Sequence, residues 1–278
     1  MLLKALAALH QACDPARDEI FVVDNGSDDG SADAVAQAFP QVTLIRNPCN
    51  NGFARANNQA IARACGDYIV LLNNDAFLAP DTLACFETVF RREPRCAVVA
   101  GQLLDDAGRE IRSAGFMPTA LDELGLRFMR RRPRAPEIRG LTEVESVVGA
   151  CMAVRAQAIR DAGSLDNDFF FYFEETEWCH RLRRHGWKIL VEPAARITHL
   201  KGVSTRGKRR GAQIEMLRSR LLFYFKTMPL AAALPLAAYR IARLLLNSGV
   251  QILLLLATLG LAARVRERAM IYLLQVGW

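Results

Sequence analysis

Residues 169–182 read FFFYFEETEWCHRL: five aromatics, then Glu174, Glu175 and Glu177, then a basic helical stretch. Carboxylates suit a helix N-terminus, where unpaired N–H groups and the macrodipole favour negative charge. They also suit chemistry, because a carboxylate beside an apolar surface can take a proton from a bound hydroxyl. Two further polar clusters end apolar runs: Asp24-Asn25 after EIFVV, and Asn73-Asn74-Asp75 after YIVLL. An acid at a strand end can accept hydrogen bonds from a nucleobase or ribose. The same text, DNGSDDGS, also reads as a tight turn and helix cap. Asp75 says more. One carboxylate and a diphosphate suffice to hold Mg2+ or Mn2+, ions that take their other ligands from phosphates and water. His199, at the end of the last apolar run, can add a nitrogen ligand and tilt the choice toward Mn2+. A histidine there also has ordinary structural uses.

Strands and helices must alternate to bring these clusters together. Strands are predicted at 20–23, 42–47, 68–75, 96–104 and 146–155, with late strands in 188–200. Helices at 32–39 and 52–65 fall between them. Leu2, Leu6, Leu9 and Cys13 follow a helical period, so the start reads as an amphipathic helix rather than a signal peptide. This alternation predicts an α/β fold: a Rossmann-like, mostly parallel sheet with helices on both faces. Ligands of such sheets lie beyond the carboxyl ends of the strands, where Asp24-Asn25, Asn73-Asn74-Asp75 and His199 sit. The Arg-dense stretch 127–140 reads as a surface segment.

Charge divides the chain. From residue 199 onward there are 13 Lys and Arg against two acids, whereas residues 1–198 hold 23 against 27. In the basic part the charges flank Leu/Ala runs and do not interleave with aromatics, which argues for an anionic membrane surface and against nucleic acid. A boundary is predicted near residue 225, giving a domain at 1–225 and a basic, apolar helical tail at 226–278. Residues 244–263 carry no charge, about ~30 Å of helix and enough to cross a bilayer. Arginines flank both ends, and Pro229 and Pro235 interrupt the preceding run, so two shorter helices lying in the headgroup region are expected. A true span is the alternative. Asn247, Gln251 and Thr258 form a thin polar stripe along one face. Seven scattered cysteines with no CxxC fit a reducing compartment.

The texts VVDNGSDDGS, NNGFARANNQAI, GDYIVLLNNDA, VVGACMAVR, LDNDFFFYFEETEWCHRLRRHGW and EPAARITHLKGVST occur in this order across about residues 20–205. Together they resemble glycosyltransferase family 2, of the GT-A fold, and especially its bacterial rhamnosyltransferase-like branch. The resemblance implies nucleotide binding by Asp24, Asn25, Gly52, Asn58 and Asn73. It makes Asp75 the metal-binding acid of a DxD-like element, with His199 completing the Mg2+ or Mn2+ site. Glu175 matches the general base, with Glu174 beside it, and Glu177, Trp178 and Phe171 would meet the acceptor. The family opens with an apolar strand, whereas Met1 begins the helix that follows it. The expectation is either a start upstream or a sheet lacking a central strand.

The resulting expectation is a metal-dependent, inverting glycosyltransferase of cell-envelope glycan synthesis. Its donor would be dTDP-rhamnose or a UDP-sugar, and its acceptor a lipid-linked saccharide or polysaccharide. It would work as a peripheral or monotopic protein on the cytoplasmic face of the bacterial inner membrane. The alternative is a non-catalytic relative that binds nucleotide or lipid at the membrane.

Overall fold

The computed structural model describes residues 1–126, 135–200, 209–258 and 263–276. Most of the Arg-dense stretch and residues 259–262 of the uncharged run lie outside them. In chain order the elements begin α1 (Leu2–Ala12), β1 (Phe21–Asp24), α2 (Ser31–Ala38), β2 (Thr43–Arg46) and α3 (Phe53–Ile61). Next come β3 (Tyr68–Leu72), β4 (Ala76–Leu78), α4 (Thr82–Arg92), β5 (Cys96–Leu104), β6 (Ala114–Gly115) and α5 (Ala120–Glu123). Then follow β7 (Thr142–Glu143), β8 (Ser146–Val147), β9 (Cys151–Arg155), α6 (Ala156–Ala162), α7 (Glu174–Arg184) and β10 (Lys188–His199). Helices α8 (Arg209–Thr227), α9 (Leu230–Ala257) and α10 (Ala263–Val276) close the chain.

The first compact unit holds Met1–Met117, Pro133–Phe170 and Glu174–Ser204. Its main sheet has the order β3-β9-β5-β10-β4, with β7 added to β10. Strand β5 sits at the centre and is buried at all but its last residue, as the unbroken apolar text CAVVA requires of a strand covered on both faces. Residues alternate between two cores. Leu71, Val98, Val154, Ile189 and Trp178 lie in one, and Val99, Ala153, Leu190, Phe86 and Phe90 in the other.

The helix-covered α/β layout is the expected one, but the strand directions need correcting. Strand β5 runs parallel to β10, while β9 runs antiparallel to both β3 and β5, and β4 antiparallel to β10. A parallel neighbour needs a long crossover. Before β9 the chain instead forms the short antiparallel ribbon β6–β8, so the strand predicted at 146–155 breaks into β8 and an antiparallel β9.

The sheet is also divided. Strands β1 and β2 pair in parallel as a separate ribbon, hydrogen-bonded to no other strand among the described residues. Three features tie the ribbon to the rest of the unit, the first being α3, which packs on β1 and places Ala54 and Ile61 in the core of the main sheet. The Glu19 carboxylate accepts the backbone N–H groups of Cys65 and Gly66 at 2.6 and 3.3 Å, tying the starts of the two strands. Leu9 of α1 packs both with Val22 and Val35 and with the core that holds Val70 and Leu72, so α1 covers both pieces.

The second unit comprises Pro118–Arg132, Phe171–Phe173 and Thr205–Trp278. It begins earlier than the boundary read at residue 225, because α8 runs through that point as one helix. Pro235 does not divide the tail either. It lies inside α9, where its ring deletes one backbone hydrogen bond, and burial of Ala233, Leu236 and Ala237 around it holds the helix together. Within this unit Glu123 accepts from both Tyr224 Oη and Arg240 Nη2, a buried network that joins α5, α8 and α9.

Helix α9 is amphipathic in an inverted sense. Ser248 is buried and Asn247, Gln251 and Thr258 are half-buried, while Leu245, Leu246, Val250, Leu253 and Leu256 are exposed. By length and composition it is the one candidate membrane-crossing helix among the described residues.

Candidate active site

Asp75 and His199 meet because β4 lies antiparallel on β10, with Ala76 opposite His199. Leu200 donates its N–H to Asp75 O at 2.9 Å, which fixes the backbone just past the turn. The buried Asp75 carboxylate then lies with Oδ1 at 3.3 Å from His199 Nε2. His199 Nδ1 is buried without a hydrogen-bond partner. A buried acid beside a half-satisfied imidazole is costly unless something more binds. Two ligand atoms on one divalent ion with bonds of about 2.1 Å sit roughly 3 Å apart, so this oxygen–nitrogen pair fits Mg2+ or Mn2+. No group of three His, Cys, Asp or Glu able to hold a metal occurs among the described residues. The ion's remaining ligands would have to come from a diphosphate and water. Asn73 serves the same turn through its backbone, donating to Ala150 O and accepting from Ala76 N.

The loop beyond β1 is an asparagine network. Asn25 donates to Asn50 Oδ1 at 2.9 Å and Gly52 O at 3.2 Å, and accepts from Asn51 N and Asn47 Nδ2. Its amide is therefore spent on holding the loop. Gly52 has φ +85°, and a Cβ there would stand 2.6 Å from Phe170 O, so no larger residue fits. Asn58 donates to Leu165 O at 2.7 Å and Asn167 Oδ1 at 2.8 Å, stitching α3 to the segment before α7. Asp24 differs from these. Its carboxylate accepts Ser27 N at 3.3 Å in an exposed turn and keeps acceptor capacity for a ligand.

Helix α7 starts with its three acids and ends with Arg181, Arg183 and Arg184, complementing the dipole at both ends. The acids differ in surroundings. Glu175 is half-buried. Burial pushes its pKa up, opposed by the N–H groups of Glu175, Thr176 and Gly149 and by the Arg112 charge. A raised pKa with a continuing supply of donors suits a proton acceptor. Glu174 is buried.

Glu177, read as an acceptor contact, is engaged by Arg181, whose Nε and Nη2 donate to its two oxygens at 3.0 and 2.9 Å. Trp178, read the same way, is fully buried, with Nε1 donating to Gly163 O at 2.7 Å. In this structure both side chains hold α7 in place. Phe171 belongs to the second unit, where its carbonyl accepts from Ser219 Oγ at 2.8 Å.

Sequence reasoning passed over Gly149 and Arg112. Gly149 lies inside VVGACMAVR, and a Cβ there would make ordinary contact with Glu175 Cγ at 3.5 Å. Arg112 had no local signal, because its charge is brought to bear on Glu175 only by the folded chain.

The profile of Glycosyl transferase family 2 matches residues 1–163. The N-acetylglucosaminyl-diphospho-decaprenol L-rhamnosyltransferase of Mycobacterium tuberculosis is 28% identical over 208 residues, 67% of each chain. A low-salt glycan biosynthesis hexosyltransferase of Haloferax volcanii is 24% identical over 178 residues, 62% of this chain and 55% of its own.

Among solved structures, a mannosyltransferase from Pyrobaculum calidifontis in complex with GDP-Man and Mn2+ aligns with a TM-score of 0.56. It is 19% identical, and the alignment covers 99% of this chain and 81% of that one. S. aureus TarS in complex with UDP gives a TM-score of 0.54 at 14% identity, over 86% and 66% of the two chains. With the matched profile spanning more than half of the sequence, the chain belongs to glycosyl transferase family 2 and has the GT-A fold.

Proposed function

We propose that this protein is an inverting glycosyltransferase that moves a sugar, with rhamnose the first candidate, from a nucleotide-diphosphate donor to a lipid-linked acceptor in cell-envelope glycan synthesis. The observation that carries the reading is the meeting of Asp75 with His199 at the end of the sheet, in a member of this family. Asp75 and His199 would hold Mg2+ or Mn2+, whose charge would offset that of the departing diphosphate. Asp24 would accept hydrogen bonds from the base or ribose of the donor.

Glu175 would take the acceptor hydroxyl proton as that oxygen attacks the anomeric carbon from the face opposite the leaving group. Its raised pKa means the base is lost at a higher pH than for an ordinary glutamate, so activity should fall as the solution is acidified through that point. The mycobacterial relative is named as an L-rhamnosyltransferase, which supports a rhamnose donor such as dTDP-rhamnose over UDP-sugars, and the diphospho-decaprenol in its name supports a polyprenyl-linked acceptor. The exposed apolar side of α9 supports attachment in the plane of an anionic membrane, on the cytoplasmic face of the bacterial inner membrane.

A second reading, a non-catalytic nucleotide- or lipid-binding relative, draws on the division between the β1–β2 ribbon and the main sheet. Turnover separates the two. The wild-type protein is assayed against a nucleotide-sugar panel with a polyprenyl-diphosphate saccharide, beside Glu175→Gln. Transfer by the wild type that drops by about 100-fold or more in the variant, with donor binding retained, supports the enzyme. Wild-type turnover in Glu175→Gln would remove Glu175 from its role. No transfer from any donor would favour the binding protein.

A further inference from the structure

The chain enters α7 through a backbone conformation that its own residues disfavour. Tyr172 and Phe173, the last two residues before the helix, have φ of +71° and +69°. Among the described residues they alone lie at positive φ without being glycine. In the left-handed region Cβ crowds a neighbouring carbonyl oxygen, so two adjacent bulky residues hold it only where their surroundings impose it.

Helix α8, in the same compact unit as Phe171–Phe173, supplies those surroundings. Its buried Ser219 hydroxyl donates to Phe171 O at 2.8 Å, with Glu215 Oε1 a more distant acceptor at 3.4 Å. One turn on, the buried Phe223 ring meets the Phe173 ring with centroids 5.3 Å apart. The Arg220 guanidinium lies over the same Phe173 ring, 5.6 Å from its centroid. Spacings of three and four residues put Ser219, Arg220 and Phe223 on one helix face.

The chain on either side is fastened separately. Phe170 O accepts Phe53 N at 2.7 Å, and the later turns of α7 are held by Trp178 on Gly163 and by Arg181 on Ala162 and Ser164. Glu175 is the second residue of α7 and lies in its first turn, the part that frays when a helix entry is released.

We propose that Ser219 and Phe223 are positioning residues for Glu175: from α8 they hold Phe171–Phe173 in the left-handed turn that starts α7, and so fix where the base stands. The proposal rests on Glu175 being the base. Both residues act through the backbone of 171–173, so their loss reaches the proton-transfer step and spares donor binding.

The test is kcat, acceptor KM and donor Kd for Ser219→Ala and Phe223→Leu, each made alone and combined with Tyr172→Gly or Tyr172→Asn, beside Glu175→Gln. Ser219→Ala removes one hydroxyl from a buried helix face, so the chain should fold. Glycine enters the left-handed region without penalty and asparagine at a low one, so either should keep the turn when the contact from α8 is gone. Ser219→Ala should lower kcat about tenfold, with donor Kd within about twofold of wild type. In either Tyr172 background the same substitution should cost about threefold or less, because the two changes act on one equilibrium. Phe223→Leu should follow the same pattern. An unchanged kcat in Ser219→Ala, a weakened donor Kd, or an equal loss with and without the Tyr172 change overturns the proposal, and an inactive Glu175→Gln then leaves the base standing. An active Glu175→Gln, or a wild type without transfer, overturns both.

Discussion

Glu177→Ala separates a structural carboxylate from a substrate contact. The Glu177 side chain is 8% exposed and that of Arg181 23%, and two hydrogen bonds of 3.0 and 2.9 Å join them across one helical turn. Arg181 also donates to Ala162 O and, at 2.7 Å, to Ser164 O, so the pair fastens α7 to the end of α6. Breaking a buried pair by deleting one partner costs about 3–5 kcal/mol. Partial water access to Arg181 and its surviving carbonyl acceptors reduce this to about 2–3 kcal/mol. In a chain of this size each kcal/mol moves Tm by roughly 2–4 °C, so a fall of about 5–10 °C is expected. Scanning fluorimetry gives Tm, and acceptor KM is measured well below the transition. Arg181→Ala and the double variant complete a cycle in which the two losses should not add. A Glu177→Ala protein with unchanged Tm and a raised acceptor KM would refute the reasoning and return Glu177 to the acceptor.

Two further outcomes can be checked directly. Asp75→Ala should weaken nucleoside-diphosphate binding about tenfold or more in Mn2+, and His199→Ala less, with metal-free affinity unchanged in both. Titration calorimetry with and without chelator reads this, and transfer that survives chelation sinks the metal assignment. Leu246→Glu with Leu253→Glu, at positions 68% and 67% exposed, should lower partition to anionic vesicles by about tenfold or more. Unchanged flotation would exclude this side of α9 from the membrane contact.

What the sequence disclosed depended on the range of the forces involved. The apolar run 96–104 gave strand β5 with both bounds correct, because a strand covered on both faces needs no partner-specific signal. The polar endings Asp24 and Asp75 were legible for the same reason, since acids that close apolar strands are expensive without a task. The direction of β9 was not legible, as it depends on the path of residues 105–150 rather than on the strand's own text. The continuity of α9 through Pro235 was hidden too, because tertiary burial overrode a local breaker. Asn25 and Trp178 show the same limit at the site: motif matching selected both positions, but their partners Asn50, Gly52 and Gly163 appear only once the chain has folded.

The separation of the β1–β2 ribbon from the main sheet bears on how the molecule opens. No ladder hydrogen bond has to break for the ribbon to leave the main sheet; what resists is the packing of α1 and α3 and the two N–H bonds to Glu19. Amides of β1 and β2 should therefore exchange with solvent deuterium through a local opening well below the global unfolding free energy, while those of β5 and β10 wait for global unfolding. Asp24 moves with the first group and Asp75 and His199 with the second, so a nucleotide held at both ends would slow exchange in the ribbon by joining two otherwise independent foldons.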